Sequence, residues 1–241
     1  MKVQIEQFQR ELSLASGAQK VLEDRDFSKP TLINFEVGFC PAYAGYDFDL
    51  LNGRIVLPIY DAYGNWVGFA GRKVDDYSTT VKEYYQQKTT KLQGLDRFMK
   101  WKVTKWVNTP YAKSNHLFNL NRAKKYIYEA GYCIIVEGYF DVMRLSQLGF
   151  NNVVALSGTS LTETQCDLIY RYCNKVLIML DGDDAGKIAT NKTMERARQN
   201  NIFANIVELP DNLDPDDLDE ETMKIIDSEV RTSDEEMYIK L

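Results

Sequence analysis

GYCIIVEGYFDVMRLSQLGFNNVVALSGTSLTETQCDLIYRYCNKVLIMLDGDDAG, residues 131–186, is the stretch that decides the fold. Residues 132–137 form a short β-rich run. Residues 139–148 carry apolar side chains at helical spacing, and Gly149 stands where that helix would stop. Residues 152–156 read as a second strand. Ser160 and Glu163 have capping-box spacing and predict a helix through about residue 172. Residues 175–180 are a third, continuously apolar strand. Further along, residues 184–200 read as a polar-faced helix and 203–209 as a fourth strand. Strands that alternate with helices need crossover connections, so the sheet is expected to be mainly parallel. Uninterrupted apolar strands are what a sheet covered on both faces requires.

The acidic residues fall at particular places in this pattern. Glu137 ends the first strand, Asp181 ends the third and is followed by Gly182 and Asp183, and Asp214, Pro215 and Asp216 follow the fourth by a short loop. Ligands of open parallel sheets collect beyond the carboxyl ends of the strands. Three acidic groups from separate stretches of chain would converge there. Crowded carboxylates raise each other's pKa unless a cation neutralises them, and hard oxygen donors suit Mg²⁺ or Mn²⁺. Each acid also has a plain structural reading. Asp181 or Asp183 could cap the next helix, Asp214 and Asp216 could be turn residues around Pro215, and Glu137 beside Gly138 could be a solvated loop residue. Turn chemistry does not readily place all of them at consecutive strand ends.

The chain has 241 residues, enough for one large domain or two small ones. Its hydrophobic fraction of 44% and charged fraction of 27% exclude a disordered, collagen-like or coiled-coil chain. The apolar run at 176–180 is far too short to cross a bilayer. The first ten residues contain no run of signal-peptide length, so a secreted protein is not expected. Cys40, Cys133, Cys166 and Cys173 are scattered without a CxxC pair, which argues against a zinc site or a disulfide framework and for a reducing cytoplasm.

The net charge of −6 hides a segregation. Residues 72–125 carry 13 basic and 4 acidic side chains, while residues 126–241 carry 10 basic and 22 acidic. Such a split fits mutual attraction between solvated surfaces. The sharper alternative, which charge alone places slightly behind, is a basic track for a polyanion beside a carboxylate site for divalent cations.

EGYFDV at 137–142, ALSGTSLT at 155–162, LDGDDAG at 180–186 and LDPDDL at 213–218 resemble, in order and spacing, the TOPRIM core of the bacterial-type (DnaG-like) DNA primases. The resemblance extends upstream. Residues 18–41 look like the family's helix–turn segment, 53–72 like its hairpin ending in Gly-Arg, KWVNTP at 105–110 like its Lys-aromatic-x-Asn-x-Pro motif, and 117–123 like the lead-in to TOPRIM. The upstream motifs matter most, because TOPRIM alone also occurs in topoisomerases and nucleases. The resemblance implies an α/β protein: an α+β N-terminal subdomain (1–125), a mainly parallel Rossmann-like TOPRIM sheet (126–218) and an acidic helix or tail (219–241).

The resemblance further implies a primase core that joins nucleoside triphosphates into short RNA primers on a single-stranded DNA template. A TOPRIM nuclease and a nonenzymatic replication scaffold are the alternatives. Glu137, Asp181, Asp183, Asp214 and Asp216 would bind two or more Mg²⁺ or Mn²⁺ ions, with Glu137 either a ligand or an acid/base group. Gly138 and Gly182 would let backbone approach metal or phosphate closely, and Asp141, one helical turn from Glu137, can face the same site. Gly158, Thr159 and Ser160 precede a helix and offer backbone N–H groups to phosphate, although a cap explains Ser160 equally well. Arg54, Arg72, Lys105, Asn108 and Lys113 would line a template or nucleotide groove. Trp101 and Trp106 could stack on bases or, by the slightly favoured reading, bury in a core. His116, the sole histidine, reads as a loop residue. Residues 73–104 form an insertion longer than the family usually has. No zinc module is expected before residue 18 and no helicase-binding domain after 218, an economy that suggests a virus-encoded protein acting in the host cytoplasm. Such a core would work with a replicative helicase and a separate zinc-bearing or template-recognition subunit, away from membranes.

Overall fold

The structure, a computed structural model, describes residues 1–41, 46–74, 104–158, 160–211, 213–233 and 235–241. The expectations for Trp101, Thr159 and most of the 73–104 insertion lie outside these residues. The chain divides into two compact units. One comprises Met1–Ile59 with Trp66–Tyr111, the other Tyr60–Asn65 with Ala112–Leu241.

In the first unit, α1 (Lys2–Leu12) buries Ile5, Phe8 and Leu12, one stripe at helical spacing. Helix α2 (Ser16–Glu23) buries Ala18 and Leu22. Helix α3 (Lys29–Asn34) starts at Ser28, whose hydroxyl accepts from the Thr31 N–H. Strands β1 (Gly38–Cys40), β2 (Arg54–Tyr60), β3 (Trp66–Lys73) and β4 (Trp106–Asn108) form one sheet in that order. β1 runs antiparallel to β2 with Cys40 opposite Arg54, and β4 antiparallel to β3 with Trp106 opposite Arg72. The edge of Phe8 meets Phe69 at 5.6 Å and fastens α1 to this sheet.

The second unit is the parallel α/β layer expected from residues 131–209. Its elements are α4 (Leu120–Ala130), β5 (Cys133–Val136), α5 (Tyr139–Gln147), β6 (Val153–Ala155), α6 (Glu163–Tyr170), β7 (Lys175–Ile178), α7 (Asp184–Gln199), β8 (Phe203–Glu208), α8 (Glu220–Thr232) and β9 (Tyr238–Lys240). The sheet order is β6-β5-β7-β8-β9 and every pairing is parallel. On one face, Leu120 and Ile127 of α4, Cys166 and Ile169 of α6 and Ala197 of α7 pack with Ile135, Ile178 and Ile206. On the other face, Tyr132 donates to Asp227 of α8, and Lys175 Nζ donates to the carbonyls of Val230 at 3.3 Å and Ser233 at 2.6 Å.

Three features differ from the sequence reading. Helix α6 is capped by Thr162 and Gln165, not Ser160 and Glu163. The Thr162 hydroxyl accepts from the Gln165 N–H at 3.2 Å and the Gln165 side chain from the Thr162 N–H at 3.0 Å. Buried Gln165 also donates to the His116 carbonyl at 2.7 Å, so it is fixed from both sides. Second, the end of the chain is a helix followed by a fifth strand, not a loose tail. Glu236 pairs with Arg198 at 2.6 Å, and the buried Asn205 side chain accepts from the Met237 N–H at 2.9 Å, which sets the chain into register beside β8. Third, part of the basic segment serves internal packing. Lys124 donates to the Ala62 carbonyl at 3.0 Å and Arg122 lies over the Tyr60 ring at 5.5 Å.

The loops after β7 and β8 are bound to each other through backbone. The Gly182 N–H donates to the Leu213 carbonyl at 3.1 Å, and a Cβ on Gly182 would stand 2.2 Å from the Pro210 oxygen. No rotamer change relieves a clash with backbone. Gly182→Ala is therefore expected to cost roughly 3 kcal/mol and lower Tm by roughly 6–12 °C, by the size scaling of unfolding entropy. A thermal melt within 2 °C of the parent, about the effect of half a kcal/mol, would contradict this contact.

Candidate metal centre at the carboxyl edge of the parallel sheet

Glu137 directly follows β5, at the sheet edge where β7 and β8 also end. It is half-buried, and its Oε1 is shielded from solvent with no hydrogen-bond partner among the described residues. Burial, then the charge of Asp183, then that of Asp214 raise its pKa, against a backbone hydrogen bond from Asp181 that lowers it. Asp141, one turn into α5, is buried and pushed up to about 8 by burial and by the charges of Asp216, Asp181 and Asp214. Glu137 therefore lies in the field of Asp183 and Asp214, and Asp141 in that of Asp181, Asp214 and Asp216. The sequence reading had joined the same residues from separate stretches of chain.

Each acid is held by local structure. Asp183 is the N-cap of α7 and accepts from the Gly186 N–H at 2.7 Å. Its capping role and its place in the cluster therefore coexist. Gly186 makes this turn possible, since a Cβ there would lie 2.0 Å from the Asp181 oxygen. Asp141 accepts from the Gly138 N–H at 2.7 Å and thereby closes the start of α5. Asp214 opens a 3-10 turn at Pro215–Asp217, where its N–H donates to the Asp217 carboxylate at 3.0 Å. This turn packs against α5, which brings Asp216 towards Asp141. Asp214, Asp216 and Asp217 each offer a carboxylate oxygen within 4.8 Å of the others. Asp217 was not singled out from the sequence. The second Asp of the DD pair in LDPDDL was the available signal.

Four of the five expected groove residues lie in the first unit. Arg72, half-buried on β3, stacks over the ring of Trp106 at 5.8 Å. Trp106 is itself half-buried, between its two expected roles. Lys105 is exposed, and its carbonyl accepts from the Lys73 N–H at 2.9 Å. Asn108 is half-buried opposite Ala70. Arg54 is a correction. It is 4% exposed, and its Nη1 donates to the carbonyls of Thr104 at 3.0 Å and of Gly71 and Lys105 at 3.4 Å. Burial lowers its pKa to about 10. Arg54 braces β3 against β4 from inside the sheet, because a buried guanidinium needs carbonyl partners. Lys113 is exposed in a short 3-10 turn of the second unit, and His116 follows that turn in a loop, as expected. Ser160 is half-buried before α6, and Gly158 is exposed.

A Toprim-like family model matches residues 134–219, the span that holds the whole carboxylate cluster. The DNA primase of Aquifex aeolicus is 36% identical over 173 residues, which cover 70% of this chain and 30% of that protein. The DNA primase of Clostridium acetobutylicum is 31% identical over 238 residues, covering 87% of this chain and 36% of the relative. The chain thus spans about a third of the length of these curated relatives. Among solved structures, the zinc-binding and RNA polymerase domains of the Aquifex aeolicus primase match with a TM-score of 0.75 and 27% identity, over 93% of this chain and 58% of that one. A DnaG primase catalytic domain bound to single-stranded DNA matches with a TM-score of 0.73 and 25% identity, over 95% of this chain and 76% of that one. With its acids on the Toprim-like span and its fold matched over more than nine-tenths of its length, the chain belongs with the bacterial-type DNA primases and carries their type of catalytic core.

Proposed function

We propose that this chain is the nucleotidyl-transferring core of a DNA primase, which joins ribonucleoside triphosphates into short primers on single-stranded DNA during replication. The observation that carries the reading is the convergence of Glu137, Asp181, Asp183, Asp214 and Asp216 at one sheet edge. The relatives named DNA primase and the similarity to a DNA-bound primase domain support it.

Mg²⁺ or Mn²⁺ fits these residues. The donors are all hard oxygens, Glu137 Oε1 is buried without a partner among the described residues, and neighbouring carboxylates raise the pKa of Glu137 and Asp141 as uncompensated like charges do. Glu137, Asp181, Asp183, Asp214 and Asp216 would hold the ions. When bound, divalent ions acidify the attacking 3′-hydroxyl and neutralise the leaving pyrophosphate. The chain's own contribution is to keep the carboxylates in place before substrate arrives. Asp183 does so through the first turn of α7, and Asp214 through the turn at Pro215–Asp217. Arg72, Lys105 and Asn108 would bind phosphates of template or nucleotide, with Lys113 as a further cation in the other unit. A replicative helicase and a template-recognition subunit are the proposed partners in the cell.

Two experiments test the proposal. The protein, incubated with single-stranded DNA, labelled ribonucleotides and Mg²⁺ or Mn²⁺, is expected to make template-dependent oligoribonucleotides. Asp181→Asn is expected to lower the yield by about 10³-fold or more, as loss of a metal-held transition-state charge would. Shortened DNA without synthesis would replace the proposal with a nuclease.

Replacing both Arg72 and Lys105 with Gln is expected to weaken single-stranded DNA binding. It should also flatten the log–log salt slope by about 1.4, the value for two lost phosphate contacts. An unchanged slope would remove these two residues from the DNA surface.

A further inference from the structure

Next to the carboxylate cluster, within the second unit, lies a cavity of about 220 Å³. Asp181 and Gly182 form the side it shares with the candidate metal centre. Lys187, Thr190 and Asn191 of α7 form a second side, and residues 206–209 together with Tyr238 of β9 form the third. None of the lining residues beyond Asp181 and Gly182 takes part in the metal site described above.

The chemistry of the walls is specific. Leu180, Ile206 and Leu209 supply apolar lining. Tyr238 supplies an aromatic face, and its hydroxyl donates to Glu208 Oε2 at 2.6 Å, which fixes the ring before any ligand enters. Asn191 offers an amide donor and acceptor side by side, and Thr190 a hydroxyl that can do either. Lys187 is engaged with Asp211 at 2.6 Å, and Glu208 adds a negative charge to the third side. Apolar lining, a fixed aromatic ring and neutral two-way hydrogen-bonding groups suit a planar heterocycle with polar edges, not a bare anion.

We propose that this cavity seats the base and sugar of a nucleoside triphosphate whose phosphates reach the carboxylate-held cations beside Asp181. The inference rests on the nucleotidyl-transfer reading and adds to it a place for the nucleoside half of the substrate. Tyr238 would stack on the base and Asn191 would meet its edge. Such an amide tolerates several bases, because its donor and acceptor can exchange places by rotation about the side chain. β9 would then be part of the substrate site through Tyr238 as well as part of the sheet.

The test uses the full chain with Mg²⁺ and two probes in calorimetric titration. One is α,β-methylene-ATP, which cannot be turned over at the α-phosphate. The other is inorganic tripolyphosphate, which carries the charge without the nucleoside. The nucleotide is expected to bind at least tenfold more tightly than tripolyphosphate. Tyr238→Leu and Asn191→Leu are each expected to weaken the nucleotide at least fivefold and to leave tripolyphosphate within twofold. Equal affinity of the two probes for the parent protein, or nucleotide affinity unchanged in both variants, would overturn the proposal. Parallel loss of both probes would also overturn it, since the substitutions would then act through the metal centre or the fold. Failure of the nucleotidyl-transfer reading looks different: tripolyphosphate would show no Mg²⁺-dependent binding to the parent protein.

Discussion

At the edge of the parallel sheet the negative charges of Asp183 and Asp214 bear on Glu137, and those of Asp216, Asp181 and Asp214 on Asp141. Their repulsion is a cost of folding that the hydrophobic layer beneath must overcome. Two of the strands that deliver them, β5 and β7, are deeply buried: Ile134, Ile135, Val136, Val176, Leu177 and Ile178 have no exposed surface. Each buried aliphatic side chain contributes about 1.5–3 kcal/mol, so two such strands can hold a cluster that would otherwise separate. A bound cation turns that repulsion into binding energy.

Rigid placement comes from hydrogen bonds that serve local structure at the same time. Asp183 caps α7, Asp141 closes the start of α5, and Asp214 and Asp217 close a 3-10 turn. Helix starts tolerate negative charge because their free N–H groups carry partial positive charge. The capping reading and the ligand reading of these residues were alternatives in the sequence; in the folded chain the capping contacts form at the same sheet edge where the proposed ligands lie. The Gly182–Leu213 hydrogen bond then fixes the distance between the two Asp pairs.

Much of this was legible in the sequence, and for identifiable reasons. Continuous apolar runs bounded by polar turns locate β5 to β8 within one or two residues, because burial on both faces leaves little freedom of composition. The acids at strand ends could be read as one site because parallel connections put all those ends on one side. The misses concern interactions between residues distant in sequence. β9 is three residues long, and it becomes a strand through Asn205 and the Arg198–Glu236 pair, both more than 30 residues away. Arg54 looked like an anion ligand because it sits in the stretch, residues 53–72, that resembles the primase hairpin. The carbonyls that bury it come from residues 71, 104 and 105. Arg122 and Lys124 added to an apparent polyanion track, while the contacts they make run to Tyr60 and Ala62. Asp217 went unremarked because a second Asp after a Pro-Asp turn looks like solvation.

The most direct measurement of the central claim is Mn²⁺ binding followed by electron paramagnetic resonance on the parent protein and two single variants. Asp216→Asn is expected to weaken Mn²⁺ binding at least tenfold, about 1.4 kcal/mol by affinity arithmetic, because it removes one charge from the cluster. Asp211→Asn, exposed and paired with Lys187 outside it, is expected to change the affinity less than twofold. Equal Mn²⁺ affinity in all three proteins would contradict the account.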